Sequence, residues 1–158
     1  MMVEDGNERR NVIEKNLVIN PEPSYSLTNA DVTPACFWIR NPDNVLIDNH
    51  CAGGSKDGFW YDLVPSTTGT AASESQCPSN EKLGGFRGNV AHSLARHGLV
   101  VFAGHSPRKQ PCSDLDYDPT GNLVDDNNPF IQAIYEDFIT YKNGLHGVVA
   151  GEIGAVTF

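Results

Sequence analysis

A repeated unit of strand, corner and glycine turn constrains this chain more than any other feature. Asn44-Val45-Leu46-Ile47-Asp48-Asn49 is followed nine positions after Asn49 by Gly58-Phe59-Trp60-Tyr61. Phe86-Arg87-Gly88-Asn89 is followed at the same offset by Gly98-Leu99-Val100-Val101. A third copy runs from Ile134 through Phe138 to Gly147-Val148-Val149. A degenerate copy spans Asn11–Ile19. Each apolar run is too short for a self-sufficient sheet, and each is flanked by Asn or Gly, which tolerate left-handed backbone. Such units bury their apolar faces only by stacking on one another, as in a solenoid.

Stacked corners place equivalent side chains above one another. Asn16, Asn49 and Asn89 are therefore read as a structural ladder in which each amide bonds the next coil, and Phe138 replaces the amide with an aromatic stack. Gly58 and Gly98 are 40 residues apart, and Gly98 and Gly147 are 49 apart. A bare coil needs roughly 20–30 residues, so loops must be inserted at about 64–83 and 104–129. Ala133–Lys142 carries the nearest thing to a helical pattern, but its β-branched and aromatic content favours strand. The fold class expected is all-β, a right-handed parallel β-helix, with residues 1–158 forming a single partial domain.

Charge narrows the partners. The net charge of −9 repels phosphate backbones, which excludes nucleic acid as the expected partner. The small cluster Arg9, Arg10 and Lys15 and the scattered Arg87, Arg96, Arg108 and Lys109 read as solvated surface. No apolar run reaches membrane-spanning length, so no membrane insertion is expected. The first residues lack the apolar core of a signal peptide, and the expectation is a piece of a larger extracellular or cell-surface protein.

None of the four cysteines lies in a Cys-x-x-Cys pair, which argues against structural zinc. Cys77 and Cys112 both stand in polar loops and are expected to form a disulfide. Cys36 and Cys51 adjoin apolar strands and are expected to be buried thiols.

Several stretches, in order, resemble one family: Val3–Leu17, Asp31-Val32-Thr33-Pro34-Ala35-Cys36-Phe37-Trp38-Ile39-Arg40-Asn41-Pro42-Asp43-Asn44, Gly58-Phe59-Trp60-Tyr61, Leu83-Gly84-Gly85-Phe86 and Asn89-Val90-Ala91-His92-Ser93. They are similar to the β-helix region of fibrocystin-L, fibrocystin, transmembrane protein 2 and the cell migration-inducing hyaluronan-binding protein. The resemblance covers about Val3 to Phe102 well and the coil after Phe130 more loosely. It implies a pectin-lyase-like β-helix within a large cell-surface or secreted protein. It also implies that the hyaluronan-degrading members draw on a glycine-named domain that these residues do not include.

The candidate chemistry is sparse. Asp114, Asp116, Asp118, Asn122 and Asp125 imitate the oxygen spacing of a calcium loop. Pro119 stands where an EF-hand needs Gly, and Asp125 replaces the bidentate Glu, so an acidic solvated loop is the expectation. Calcium is the one cofactor for which the sequence offers a candidate. His50, His97 and His146 fall at turns and are expected to be solvated. His92 is expected to hydrogen-bond within its coil and is a candidate ligand-binding residue. Asp43, Asp48, Asp57 and Asp62 surround one coil, with Arg40 and Lys56 nearby, but no spacing pairs two of them for catalysis. Aromatics stack on sugar rings, and Trp38, Trp60 and Tyr61 are the candidates. Strand alternation sends Phe59 and Tyr61 to one face and Trp60 to the other; Trp38 is expected in the core. The function expected is a non-catalytic extracellular segment presenting a surface to a hyaluronan-like glycan or an extracellular protein. The alternative is part of a polysaccharide-degrading enzyme whose catalytic residues lie mostly elsewhere.

Overall fold

The computed structural model describes residues 1–3, 5–25, 30–31, 33–70, 72–113 and 128–158. The first coil contains β1 (Met2–Val3), β2 (Val12–Glu14) and β3 (Leu17–Ile19). A small antiparallel pair follows, β4 (Ser24–Tyr25) and β5 (Ala30–Asp31). The second coil is β6 (Ala35–Ile39), β7 (Val45–Ile47) and β8 (His50–Gly54). The third is β9 (Asp57–Asp62), β10 (Gly85–Arg87) and β11 (Val90–Leu94). The fourth is β12 (Leu99–Phe102), β13 (Ala133–Glu136) and β14 (Ile139–Tyr141), and β15 (Val148–Ala150) and β16 (Val156–Thr157) open a fifth.

Corresponding strands pair in parallel from coil to coil and make three sheets, in the orders β1-β6-β9-β12-β15, β16-β13-β10-β7-β2 and β14-β11-β8-β3. Sequence neighbours lie in different sheets and strands one coil apart lie side by side, which is the topology of a parallel β-helix.

The interior is filled by rows in register. Phe37, Phe59, Leu99 and Val148 form one row, and Leu46, Phe86 and Tyr135 another. Phe37 stacks on Phe59 at 4.7 Å, and Phe59 meets Phe86 edge-on at 5.3 Å. Offset and edge-to-face rings of this kind add to what their burial contributes.

The corner between the second and third sheets needs one residue with positive φ. Lys15, Asp48, Gly88 and Asp137 supply it, with φ of 55°, 53°, 65° and 50°. The residue after each is Asn16, Asn49, Asn89 or Phe138. Asn49 Oδ1 accepts from the Asn16 backbone N–H at 3.1 Å and its amide at 3.0 Å. Asn89 Oδ1 accepts the same two bonds from Asn49, at 3.0 and 3.1 Å. The Asn49 and Asn89 amides also donate to the carbonyls of Ile13 and Leu46. Buried backbone groups at the corner are thus satisfied by the coil above or below. Phe138 turns onto Phe59 and Phe86 instead. A second, shorter ladder joins Asn11 to Asn44, whose Oδ1 accepts from the Asn11 N–H and amide, both at 2.9 Å.

Gly58 and Gly98 hold the opposite corner. A Cβ on Gly58 would stand 2.5 Å from the Gly98 carbonyl, and one on Gly98 would stand 2.7 Å from that of Gly147. Successive coils approach so closely there that a side chain has no room.

Cys77 is joined to Cys112, with Cα atoms 5.3 Å apart. The expectation of free thiols at Cys36 and Cys51 is corrected: the two form a disulfide, with S–S 2.02 Å, inside the solenoid. It ties β6 to β8, two walls of the same coil, which brings residues separated by 15 positions face to face.

Just after β12, His105 is fully buried. Its Nε2 stands 3.0 Å from the Glu81 carbonyl, so it carries the proton and donates. Nδ1 of the neutral ring then accepts from the Tyr135 hydroxyl at 3.2 Å. Burial pulls the imidazole pKa down to about 4.

Candidate functional site: the outer face of the first sheet

The outward row of the first sheet consists of Met2, Trp38, Trp60, Val100 and Val149. These residues alternate with the interior row Val3, Ile39, Tyr61, Val101 and Ala150. Trp38 and Trp60 are half-buried, and their rings stack 4.8 Å apart with an interplanar angle of 11°. The core position expected for Trp38 is therefore corrected. Phe37 and Ile39 occupy the interior, and a strand cannot turn adjacent side chains to the same face without a bulge. Tyr61, a sequence candidate for sugar stacking, is fully buried and drops out. The Trp38 indole donates to Asp62 Oδ2 at 3.3 Å, and Arg40 pairs with the same oxygen at 3.2 Å. These contacts fix the ring plane.

Beside Trp60 lies a cleft of about 320 Å³, lined by Thr33, Asp57, Trp60, Arg96, His97, Val100, Phe102 and Val149. One wall is apolar, and Phe102 is 56% exposed there. The other end is polar and organised around Asp57. Its Oδ1 lies 2.7 Å from His97 Nδ1 and accepts the His97 backbone N–H at 3.1 Å. Its Oδ2 faces Arg96 Nη1 at 3.7 Å. His146 stacks over His97 at 5.4 Å. His97 is thus a buried, paired residue rather than the solvated one expected. A cleft that is mostly apolar with a few convergent polar groups is the usual form of a small-ligand site.

The sequence-predicted residues distribute as follows. Trp60 lines this cleft. His92 lies on the third sheet, where it stacks on Tyr141 at 4.7 Å and meets His50 edge-on at 5.0 Å. Its Nδ1 is 3.0 Å from the Ser93 hydroxyl. The Nε2 of His50 is buried and has no hydrogen-bond partner among the described residues, so this histidine too differs from a solvated turn residue. The structure does not bring His92 to Trp60. Asn16, Asn49 and Asn89 lie at the corner already described. The acidic loop with Asp114, Asp116, Asp118, Asn122 and Asp125 lies outside the described residues. Among the described residues, no three His, Cys, Asp or Glu side chains are grouped to hold a metal. No helix among them is long and apolar enough to cross a membrane.

Sequence reading missed the set formed by Asp57, Arg96 and His97. The signal was present: Asp57 and His97 are 40 positions apart, the same interval as Gly58 and Gly98, and therefore occupy one register position in adjacent coils.

Comparison with known proteins agrees with this architecture. The family described as CEMIP beta-helix matches residues 1–99. Fibrocystin-L of Mus musculus is 39% identical over 105 residues, covering 66% of this chain and 2% of that protein. The cell migration-inducing and hyaluronan-binding protein of Homo sapiens is 32% identical over 122 residues, covering 70% of this chain and 9% of its own length. Cell surface hyaluronidase CEMIP2 of Homo sapiens is 27% identical over 182 residues, covering 92% of this chain and 13% of that protein. The chain therefore spans only a small fraction of each relative. With the coils, their registers and these matches in agreement, the chain belongs to the CEMIP beta-helix family.

Proposed function

We propose that this chain is a cell-surface or extracellular β-helix segment that holds a glycan on the outer face of its first sheet, without itself cleaving it. The observation that carries this reading is the stacked, outward Trp38–Trp60 pair bordering a cleft with Arg96 and Asp57 at its polar end. Aromatic faces of this size contribute apolar contact to a sugar ring, and fixed polar groups orient it. Two disulfides suit an oxidising compartment. The names of the relatives carry hyaluronan and the cell surface, so hyaluronan is the first ligand to test.

Support for binding over cleavage comes from the carboxylates. Glycoside hydrolysis uses a carboxyl pair roughly 5–9.5 Å apart. Asp57 and Asp62 flank Trp60 from opposite ends of β9, and five residue steps along the strand separate them by about 16 Å. Asp57 is also held by His97 and Arg96.

Calorimetric titration with hyaluronan oligosaccharides tests the reading, accompanied by mass spectrometry of the recovered sugar. Binding of intact sugar is expected, with Trp60→Ala weakening it by about 5- to 30-fold, since loss of a stacking face costs on the order of 1–2 kcal/mol. Shortened sugar would move the chain to the degrading class. Unchanged affinity in Trp60→Ala would remove the site from this face.

A further inference from the structure

Taking the glycan-binding reading as its basis, we infer that the group this cleft selects is the N-acetyl substituent of an amino sugar, so that neutral N-acetylated glycans are ligands in their own right. Three observations lead there.

The first is the wall. Val100, Val149 and Phe102 present apolar surface to the cleft, and Phe102 is more than half exposed. A methyl group laid against that wall removes apolar surface from water. A carboxylate laid there would lose hydration with nothing to replace it.

The second is the arrangement of polar groups. Among the described residues lining the cleft Arg96 is the one Lys or Arg, and its charge already faces Asp57 at 3.7 Å. That pairing leaves little positive charge for a uronate. A guanidinium has five N–H donors, and the 3.7 Å contact occupies one nitrogen. The remaining donors suit the carbonyl of an acetamido group. Trp60 lies beside Val100 in register and lines the same cleft, where a pyranose ring bearing that substituent would lie.

The third is the charge of the whole protein. At −9 it repels a polyanionic chain over the distance that salt does not screen. A neutral glycan meets no such barrier. The same field predicts that a uronate-containing glycan binds better as salt rises, opposite to the behaviour of a cationic anion-binding groove.

The experiment is a calorimetric comparison on the full chain of chitotetraose, cellotetraose and a hyaluronan tetrasaccharide, at about 50 mM and about 300 mM salt. These probes separate the acetamido group, the bare ring and the carboxylate. Chitotetraose is expected to bind about tenfold or more tighter than cellotetraose. Hyaluronan is expected to bind more weakly than chitotetraose at low salt and to strengthen as salt rises. Phe102→Ser alters an exposed side chain, and it is expected to erase most of the preference for chitotetraose while leaving the melting temperature near that of the wild type. Equal binding of cellotetraose would overturn the inference and leave a general aromatic platform. Hyaluronan binding that is tightest and falls with salt would overturn it in favour of a carboxylate-directed site. Absence of binding by all three would sink the glycan reading itself.

Discussion

Asn49→Ala is expected to destabilise the fold by about 3–4 kcal/mol. One buried residue makes five bonds here, four of them through its side chain. It accepts from the Asn16 N–H and side chain, donates to the Ile13 carbonyl, and donates from its side chain and its backbone N–H to Asn89 Oδ1. Truncation keeps only the backbone bond. It removes the other four bonds, each worth about 1 kcal/mol net, and leaves the Asn16 N–H without its acceptor. Asn16→Ala is the internal control. Asn16 is only partly buried and its amide also donates to the Glu14 carbonyl on the exposed side, so a loss of about 1 kcal/mol is expected. Denaturant melts of the two variants check this; equal losses would mean that the ladder decorates the corner without holding it.

The corner was legible because its chemistry is local. A residue with positive φ followed by Asn recurs at three of the four corners. The second ladder, Asn11 to Asn44, went unread although both residues open an Asn-Val-apolar run. What could not be read was what depends on which wall faces which. Cys36 and Cys51 sit in apolar strands that look the same whether the sulfur is free or bonded. Only the knowledge that β6 and β8 face each other across one coil makes a bridge between them. Trp38 was misplaced because a large aromatic in an apolar strand resembles core, although alternation from Phe37 already sent it outward. The set of Asp57, Arg96 and His97 needs the length of the coil, and an inserted loop hides that length. Coil spacing follows from packing rather than from any residue's own preference.

Acid is expected to weaken the fold through His105. The ring is neutral in the folded chain and its pKa is pulled down to about 4 by burial, whereas a histidine in the unfolded chain titrates near 6.5. Above about pH 6.5 both states are unprotonated and the full stability is present. Below that value the unfolded chain takes up a proton that the folded chain refuses, so stability falls until about pH 4. The slope approaches about 1.4 kcal/mol per pH unit, and the total is on the order of 3 kcal/mol. His105→Gln is expected to be less stable at pH 7, because the hydrogen bonds to Glu81 and Tyr135 are disturbed. Its stability should nevertheless vary less between about pH 6.5 and pH 5 than that of the wild type. Parallel pH profiles for the two proteins would show that the proton is taken up elsewhere.

The two tryptophans of the chain are Trp38 and Trp60, and both stand on the proposed binding face. Their fluorescence therefore reports on that face without a label. The decisive measurement is emission during titration of the folded chain with N-acetylated oligosaccharides, hyaluronan fragments included. The expected result is a saturable change in intensity or wavelength that disappears in Trp60→Ala, although Trp38 still emits. Sugar binding detected by calorimetry with the tryptophan emission unmoved would place the ligand elsewhere and contradict the assignment of this face.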